Sequence, residues 1–277
     1  MELGWGGYWA WDPVENASLI PWLTGTAFLH TAMMEERRGM HKVWNVVLAP
    51  LSFALCIFAT LVTRGGIIVS DLHGFSRNIQ PIAYLLIGFI VLILGVNFFL
   101  VYHRQRQLRS KKEMESPLSR EGAFLLTAVL LCGIALIVFL GTTYPTLAQV
   151  LRGAQLSLDA SFYDRATGPL AMALIFIMGI CPVIAWRRLT AKSLRDLLPS
   201  VIAGLVLSAL AFVLGIRDLF PLVSMAISAF VATSLLAIFI RDLLARRRST
   251  GENYARAFLT LGSKGHRRYG GYLIHLA

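Results

Sequence analysis

The sequence predicts an all-α, polytopic membrane helix bundle, and three observations carry that expectation. Of 277 residues, 56% are hydrophobic and only 15% are charged, where soluble domains carry roughly a quarter charged residues. The mean hydropathy is +0.65. Stretches without Asp, Glu, Lys or Arg recur at 17–34, 44–63, 78–103, 122–151, 166–186, 197–216 and 219–240. A helix needs about 20 apolar residues to cross the hydrocarbon core, so each stretch can hold one span and about seven full spans are expected. An eighth apolar stretch runs only from Tyr269 to Ala277 and reads as a truncated membrane helix. Met1-Glu2-Leu3-Gly4 has neither a basic n-region nor an apolar h-region, so it is not a signal peptide. Both ends read as truncations of something longer.

Charge orients the spans. Lys and Arg number three in 35–43, six in 104–121, four in 187–196 and eight in 241–268, which makes 21 of the 26 in the chain. The segments 1–16, 64–77 and 152–165 and the turn at Arg217 hold the other five. Cytoplasmic loops retain positive charge, so the first set is expected inside and the second on the periplasmic face of a bacterial inner membrane. The same asymmetry accounts for most of the net charge of +11, which points to membrane lipid as the partner and to no nucleic acid. Cys56, Cys132 and Cys181 each lie in an apolar stretch without a CxxC pair, so neither a disulfide framework nor a thiol redox site is expected.

Along the chain, residues 1–16 form an aromatic outer platform ahead of the first helix. Asp12 suits an N-cap, Pro13 the first helical position and Glu15 the N3 position of a capping box, so the helix is expected to begin near Pro13. Residues 17–103 hold three spans with an outer loop at 64–77, and 104–121 is a basic cytoplasmic connector. Four further spans occupy 122–240 with an outer segment at 142–167, where Phe162 and Tyr163 are placed to pack beneath or beside the platform. A basic cytoplasmic loop, 241–268, precedes the stub at 269–277.

The platform run is Trp5-Gly6-Gly7-Tyr8-Trp9-Ala10-Trp11. A single Trp at a membrane interface belongs to the aromatic belt. Four aromatics with interspersed glycines also suit a stacking surface for a planar ring system, and the composition leaves both readings open. Among the six histidines, His30 lies seven residues before Arg37 and His275 seven after Arg268. At about 1.5 Å rise per residue these imidazoles sit at similar depth on the cytoplasmic side. Either each hydrogen-bonds within the bundle, or the pair clasps a haem iron from opposite faces. His73 lies in the outer loop beside Gly74, and Arg64 and Arg77 bound that loop, suiting either a haem propionate or lipid headgroups. His41, His103 and His266 read as interface or loop residues.

The run from Trp5 to Trp11, continued by Asp12-Pro13-Val14-Glu15-Asn16-Ala17-Ser18, resembles the tryptophan-rich WWD signature of haem-handling membrane proteins. Its form is that of the cytochrome c-type biogenesis haem lyase family called CcmF. Further matches are Leu61-Val62-Thr63-Arg64-Gly65-Gly66, His73-Gly74-Phe75, Gly141-Thr142-Thr143-Tyr144-Pro145, Gly168-Pro169 and Met178-Gly179-Ile180-Cys181-Pro182. Family members are longer at both ends, so the chain looks like a central part or one piece of a split lyase.

The resemblance implies haem attachment to the Cys-x-x-Cys-His motif of apocytochrome c. Trp5, Gly6, Gly7, Trp9, Trp11, Asp12 and His73 are then expected at the catalytic surface holding the substrate haem, with Arg64 as a cofactor-binding residue. It implies a resident haem b with His30 and His275 as axial ligands and a substrate haem at the periplasmic WWD surface. The implied partners are a periplasmic haem chaperone, apocytochrome c with its thiol-handling chaperones, and other segments or subunits of the lyase. One of those would supply the second outer histidine paired with His73. The rival readings are a haem transport or delivery module without lyase chemistry, and a general solute permease.

Overall fold

The computed structural model describes residues 8–65, 68, 80–110, 114, 116–153, 156, 158–184 and 191–276. Among these, all regular structure is helical: α1 (Pro13–Arg38), α2 (Lys42–Arg64), α3 (Gln80–Arg104), α4 (Arg120–Arg152), α5 (Ala160–Ile180), α6 (Ala191–Val213), α7 (Leu219–Thr250), α8 (Tyr254–Lys264) and α9 (His266–Leu276). Five helices are long and apolar enough to cross a membrane, at Lys42–Arg64, Pro81–Arg104, Arg120–Arg152, Leu194–Val213 and Leu219–Thr250. The chain is an integral membrane protein. The other two stretches expected to span are also helical, 26 residues in α1 and 21 in α5, but they are more polar. Asn16, Thr24, Thr26, His30 and Thr31 interrupt α1, while Asp164, Arg165 and Thr167 occupy the first half of α5.

The chain divides into two compact units. The first comprises residues 1–114 and 124–171. Its core follows the helical period: Ala17, Ile20, Thr24, Ala27, Thr31 and Met34 are buried on α1, and Ala128, Leu131, Ala135, Val138 and Thr142 on α4. Phe58 meets Phe139 with ring centroids 5.0 Å apart. Helices in lipid gain little from apolar burial against one another, so close packing and interhelical hydrogen bonds carry association. Here Ser52 donates to the Thr24 hydroxyl at 2.9 Å, Thr31 donates to Asn45 Oδ1 at 2.6 Å, and Asn97 donates to the Val46 carbonyl at 2.9 Å. Such bonds contribute on average about 0.6 kcal/mol each. Tyr84, Leu85, Val91, Leu92, Phe98 and Phe99 of α3 are exposed, the surface expected of a helix that meets lipid tails. An apolar cavity of about 440 Å³ lies among α1, α2, α3 and α4, lined by Ile20, Thr24, Ala54, Phe58, Cys132 and Phe139 among others.

The second unit comprises residues 115–123 and 172–277. Its core is Leu197, Phe230, Val231 and Leu235, with Met178 and Tyr272 packed against it. A Cβ on Gly179 would stand 2.5 Å from Phe230 Cε1, so glycine lets α5 approach α7. Ser234 donates to the Gly179 carbonyl there, at 2.7 Å. The Arg120 guanidinium donates to the carbonyls of Cys181 and Pro182, where α5 ends.

The stretches read as an outer segment and a basic loop are largely helical. Thr142 and Thr143 return their hydroxyls to the carbonyls of Val138 and Phe139, and α4 continues past Pro145 to Arg152, as membrane helices tolerate. The basic stretch 241–268 contains the end of α7, all of α8 and the start of α9. Arg is a good helix former; the break comes at Gly251, whose left-handed φ of 71° caps α7, and at Asn253, whose side chain accepts from the Arg256 amide to start α8.

Candidate functional site

The site begins at the N-terminus of α1, which starts as the sequence predicts. The Asp12 carboxylate accepts from the Val14 amide at 2.9 Å, and Glu15 reaches back to the amides of Asp12 and Ala10 at 3.1 and 2.9 Å. Both halves of the capping box are formed. Asp12 and Glu15 thus satisfy amides that a helix start leaves open. The cap reverses the chain at Trp11, whose φ of 56° lies in the left-handed region. For an L residue with a bulky side chain that conformation costs about 1–2 kcal/mol.

The strain is offset by what holds Trp11. Its indole stacks on Tyr163 with centroids 5.0 Å apart and planes 10° from parallel. Its Nε1–H donates to Asp164 Oδ1 at 2.8 Å, and its carbonyl accepts from Asn16 Nδ2 at 3.0 Å. An aromatic stack contributes about 0.5–1.5 kcal/mol, and the solvent-facing hydrogen bond to Asp164 adds to it. Beneath lies a polar node. Asn16, fully buried, also donates to the Thr142 hydroxyl at 3.0 Å, and the Tyr163 hydroxyl interacts with both. A Cβ on Gly141 would come within 2.7 Å of Tyr163 Cε1 and 3.0 Å of Phe162 Cε1. Gly141 therefore makes the room in which Tyr163 sits under Trp11. Trp9 stands edge-to-face to Trp11 at 5.7 Å and 86°; Trp9 and Tyr8 are exposed, 38% and 102%.

Of the expected surface, Trp9, Trp11 and Asp12 are brought together, whereas Trp5, Gly6, Gly7 and His73 lie outside the described residues, as does Arg77. Arg64 ends α2 and is exposed. Asp164 had no sequence signal: it is 153 positions from the indole it holds. Tyr163 was placed near the platform by topology, and the structure gives it the stacking role.

His30 and His275 belong to different units, and each shows the same local arrangement. His30 Nδ1 lies 2.8 Å from the Thr26 carbonyl, and His275 Nδ1 is hydrogen-bonded to the Gly271 carbonyl. A carbonyl can only accept, so Nδ1 is the protonated nitrogen in each contact. An imidazole whose second nitrogen donates to a backbone carbonyl is the usual form of a metal-ligating histidine. His30 is half-buried beside Phe124, centroids 5.7 Å apart. The stub carrying His275 is anchored: Tyr269 donates to Asp242 at 3.0 Å, Arg268 pairs with Asp242 at 3.1 Å and donates to the Tyr272 hydroxyl at 2.9 Å. Elsewhere His41 precedes α2 with a φ of 63°, His103 stacks on Phe99 and His266 meets the Ser263 carbonyl. Among the described residues no three His, Cys, Asp or Glu side chains converge as a metal site.

The family described as "Cytochrome C assembly protein" matches residues 1–68. The cytochrome c-type biogenesis protein CcmF of Haemophilus influenzae is 38% identical over 213 residues, 77% of this chain and 32% of that protein. CcmF of Escherichia coli is 37% identical over 210 residues, 76% and 32%, and CcmF of Pseudomonas aeruginosa 34% over 250 residues, 90% and 37%. A solved structure titled cytochrome c haem lyase CcmF superposes with a TM-score of 0.73 at 32% identity, over 99% of this chain and 38% of that one. The chain spans about a third of the length of these relatives. Through these matches and the helical architecture they share, the chain belongs to the CcmF family of cytochrome c-type biogenesis proteins.

Proposed function

We propose that this chain is the haem-holding part of a haem lyase in cytochrome c maturation. The observation that supports this most is the pair of exposed rings, Tyr8 and Trp9, set beside an indole that the fold has locked in place. Substrate haem rests on this surface, on the periplasmic side of a bacterial inner membrane, with His73 and Arg64 among its contacts. A haem chaperone brings it there, apocytochrome c comes with its thiol-handling chaperones, and other segments or subunits complete the enzyme. Each thiol of the apocytochrome motif adds across one vinyl group: a C–S bond and a C–H bond form, while the S–H bond and the vinyl π bond break. No net oxidation or reduction accompanies the addition. Both reacting groups belong to the substrates, so the protein supplies position and the exclusion of competing orientations.

His30 and His275 would hold a resident haem b, each from a ring that its Nδ1 hydrogen bond orients on its own helix backbone. When bound, that haem supplies a one-electron couple. The backbone bonds fix the tautomer of both ligands before any iron arrives.

The test is cytochrome c formation in cells lacking their own lyase, supplied with this chain and the remaining lyase segments. Trp9→Ala is expected to lower covalent haem attachment by up to about tenfold, what loss of one aromatic stack allows, while the amount of membrane-inserted chain stays unchanged. Attachment at the level of the unsubstituted chain would sink the reading.

A further inference from the structure

The aromatic run reads in sequence as one surface of equivalent rings, but its described members, Tyr8, Trp9 and Trp11, are of two kinds. One face of the Trp11 indole is closed by Tyr163 at 5.0 Å. Its N–H is already donated to Asp164 and its carbonyl is held by Asn16. Trp9 stands perpendicular against it. The backbone at Trp11 is left-handed, and such strain persists where the surroundings over-determine it. A ring held by stack, hydrogen bond and backbone together has little freedom to follow a ligand. Tyr8 is fully exposed and Trp9 is 38% exposed, with only the edge-to-face contact to Trp11 among its ring contacts within the described residues.

We propose, resting on the haem reading above, that Trp9 and Tyr8 carry the substrate haem while Trp11 is a positioning residue, clamped by Asp164 and Tyr163 of α5 to set the Trp9 plane. The clamp extends into α4. Gly141 leaves the space that Tyr163 fills, and Thr142 accepts from Asn16, which in turn holds the Trp11 carbonyl. The Gly141-Thr142 pair in the fourth helix thus acts on the haem surface at second hand, through Tyr163 and Asn16. α5 governs haem orientation because Asp164 and Tyr163 share one helical turn and grip the same indole from its edge and its face.

The experiment titrates hemin into the detergent-solubilised full chain carrying His30→Ala, so that the transmembrane histidine pair does not contribute. Affinity and the induced circular dichroism of the Soret band are both read, the second reporting the plane of the neighbouring indole. Trp9→Ala is expected to weaken binding by about tenfold and to abolish the induced signal. Trp11→Phe, which keeps a ring on Tyr163, and Asp164→Leu are each expected to cost about threefold and to change the sign or amplitude of the signal. The double variant should cost the same threefold, because both changes break one linkage. Asp164→Asn, whose amide oxygen still accepts the indole N–H, should restore binding to within about twofold. The proposal is overturned if Trp11→Phe costs as much as Trp9→Ala, or if Asp164→Leu leaves affinity and signal unchanged. Absence of saturable hemin binding in the parent chain overturns the haem reading and this proposal with it, whereas binding that depends on Trp11 rather than Trp9 overturns this proposal alone.

Discussion

Trp11 and Tyr163 lie face to face, 5.0 Å between centroids and 10° from parallel, although 152 positions separate them in the chain. The stack joins the start of α1 to the start of α5, and it exists because α4 offers no side chain at Gly141. A Cβ there would press on both Tyr163 and Phe162. Gly141→Ala is therefore expected to destabilise the first unit by about 1–3 kcal/mol, the range for overpacking, seen as a lower Tm in detergent. Near-UV circular dichroism should lose the signal of the stacked pair. An unchanged near-UV spectrum in Gly141→Ala would show that the stack does not depend on this glycine.

The imidazole geometry makes a prediction about ligand identity. His30→Ala and His275→Ala should each remove a b-type pyridine haemochrome from the purified chain, since one remaining axial nitrogen holds haem weakly. His30→Met is the sharper variant. A thioether in place of one imidazole retains an axial ligand and raises the reduction potential, so haem should remain, with a midpoint shifted upward in a redox titration. Haem retained at full occupancy with an unshifted midpoint would exclude His30 as a ligand.

Local chemistry was legible in the sequence, and long-range support was not. The cap at Asp12, Pro13 and Glu15 follows from three neighbouring residues, and the structure forms it as expected. The helical membrane class followed from uncharged stretches that no soluble domain would repeat. Asp164 gave no signal, because its role depends on an indole reached only through the fold. Gly141 stood in a recognisable motif, yet only the packed Tyr163 ring shows what the missing side chain is for. Hydropathy counts charges and apolar atoms but does not see that Asn16, Thr31 and Asn45 find partners inside the bundle, so α1 is a long helix in spite of its polar content.

The turn between α7 and α8 should carry a modest acid sensitivity. Glu252 accepts two hydrogen bonds from Arg246, at 2.9 and 3.1 Å, and that guanidinium holds its carboxyl below the ordinary glutamate value. A carboxyl depressed in the folded state stabilises the fold above its unfolded pKa, and the contribution fades as pH falls through the folded value. Hydrogen exchange of the α7–α8 amides should therefore be slower in the parent than in Glu252→Gln at neutral pH. The two should converge once the pH drops below the usual range for glutamate. Equal protection at neutral pH would mean that the bridge contributes nothing.

His275 sits on an 11-residue helix, too short to hold its own position in isolation, so its orientation comes from the contacts of α9 with its neighbours, those with α7 among them. Those contacts are few and specific. Tyr269 is buried and donates to Asp242, Arg268 pairs with the same carboxylate, and Phe239 meets the Tyr269 ring edge-to-face at 5.4 Å. Tyr269→Phe keeps the ring contact and removes one hydrogen bond, a loss of about 0.5–1.5 kcal/mol. Asp242→Ala removes the acceptor of both the phenol and the guanidinium and should loosen α9 more. Haem b content of the purified chain is expected to fall slightly in the first variant and substantially in the second. Near-UV signals from the Trp11–Tyr163 stack, which lies in the other unit, should be unaltered in both. Full haem content in Asp242→Ala would mean that α9 is oriented by something other than this carboxylate, and that the resident-haem reading must find its second ligand's support elsewhere.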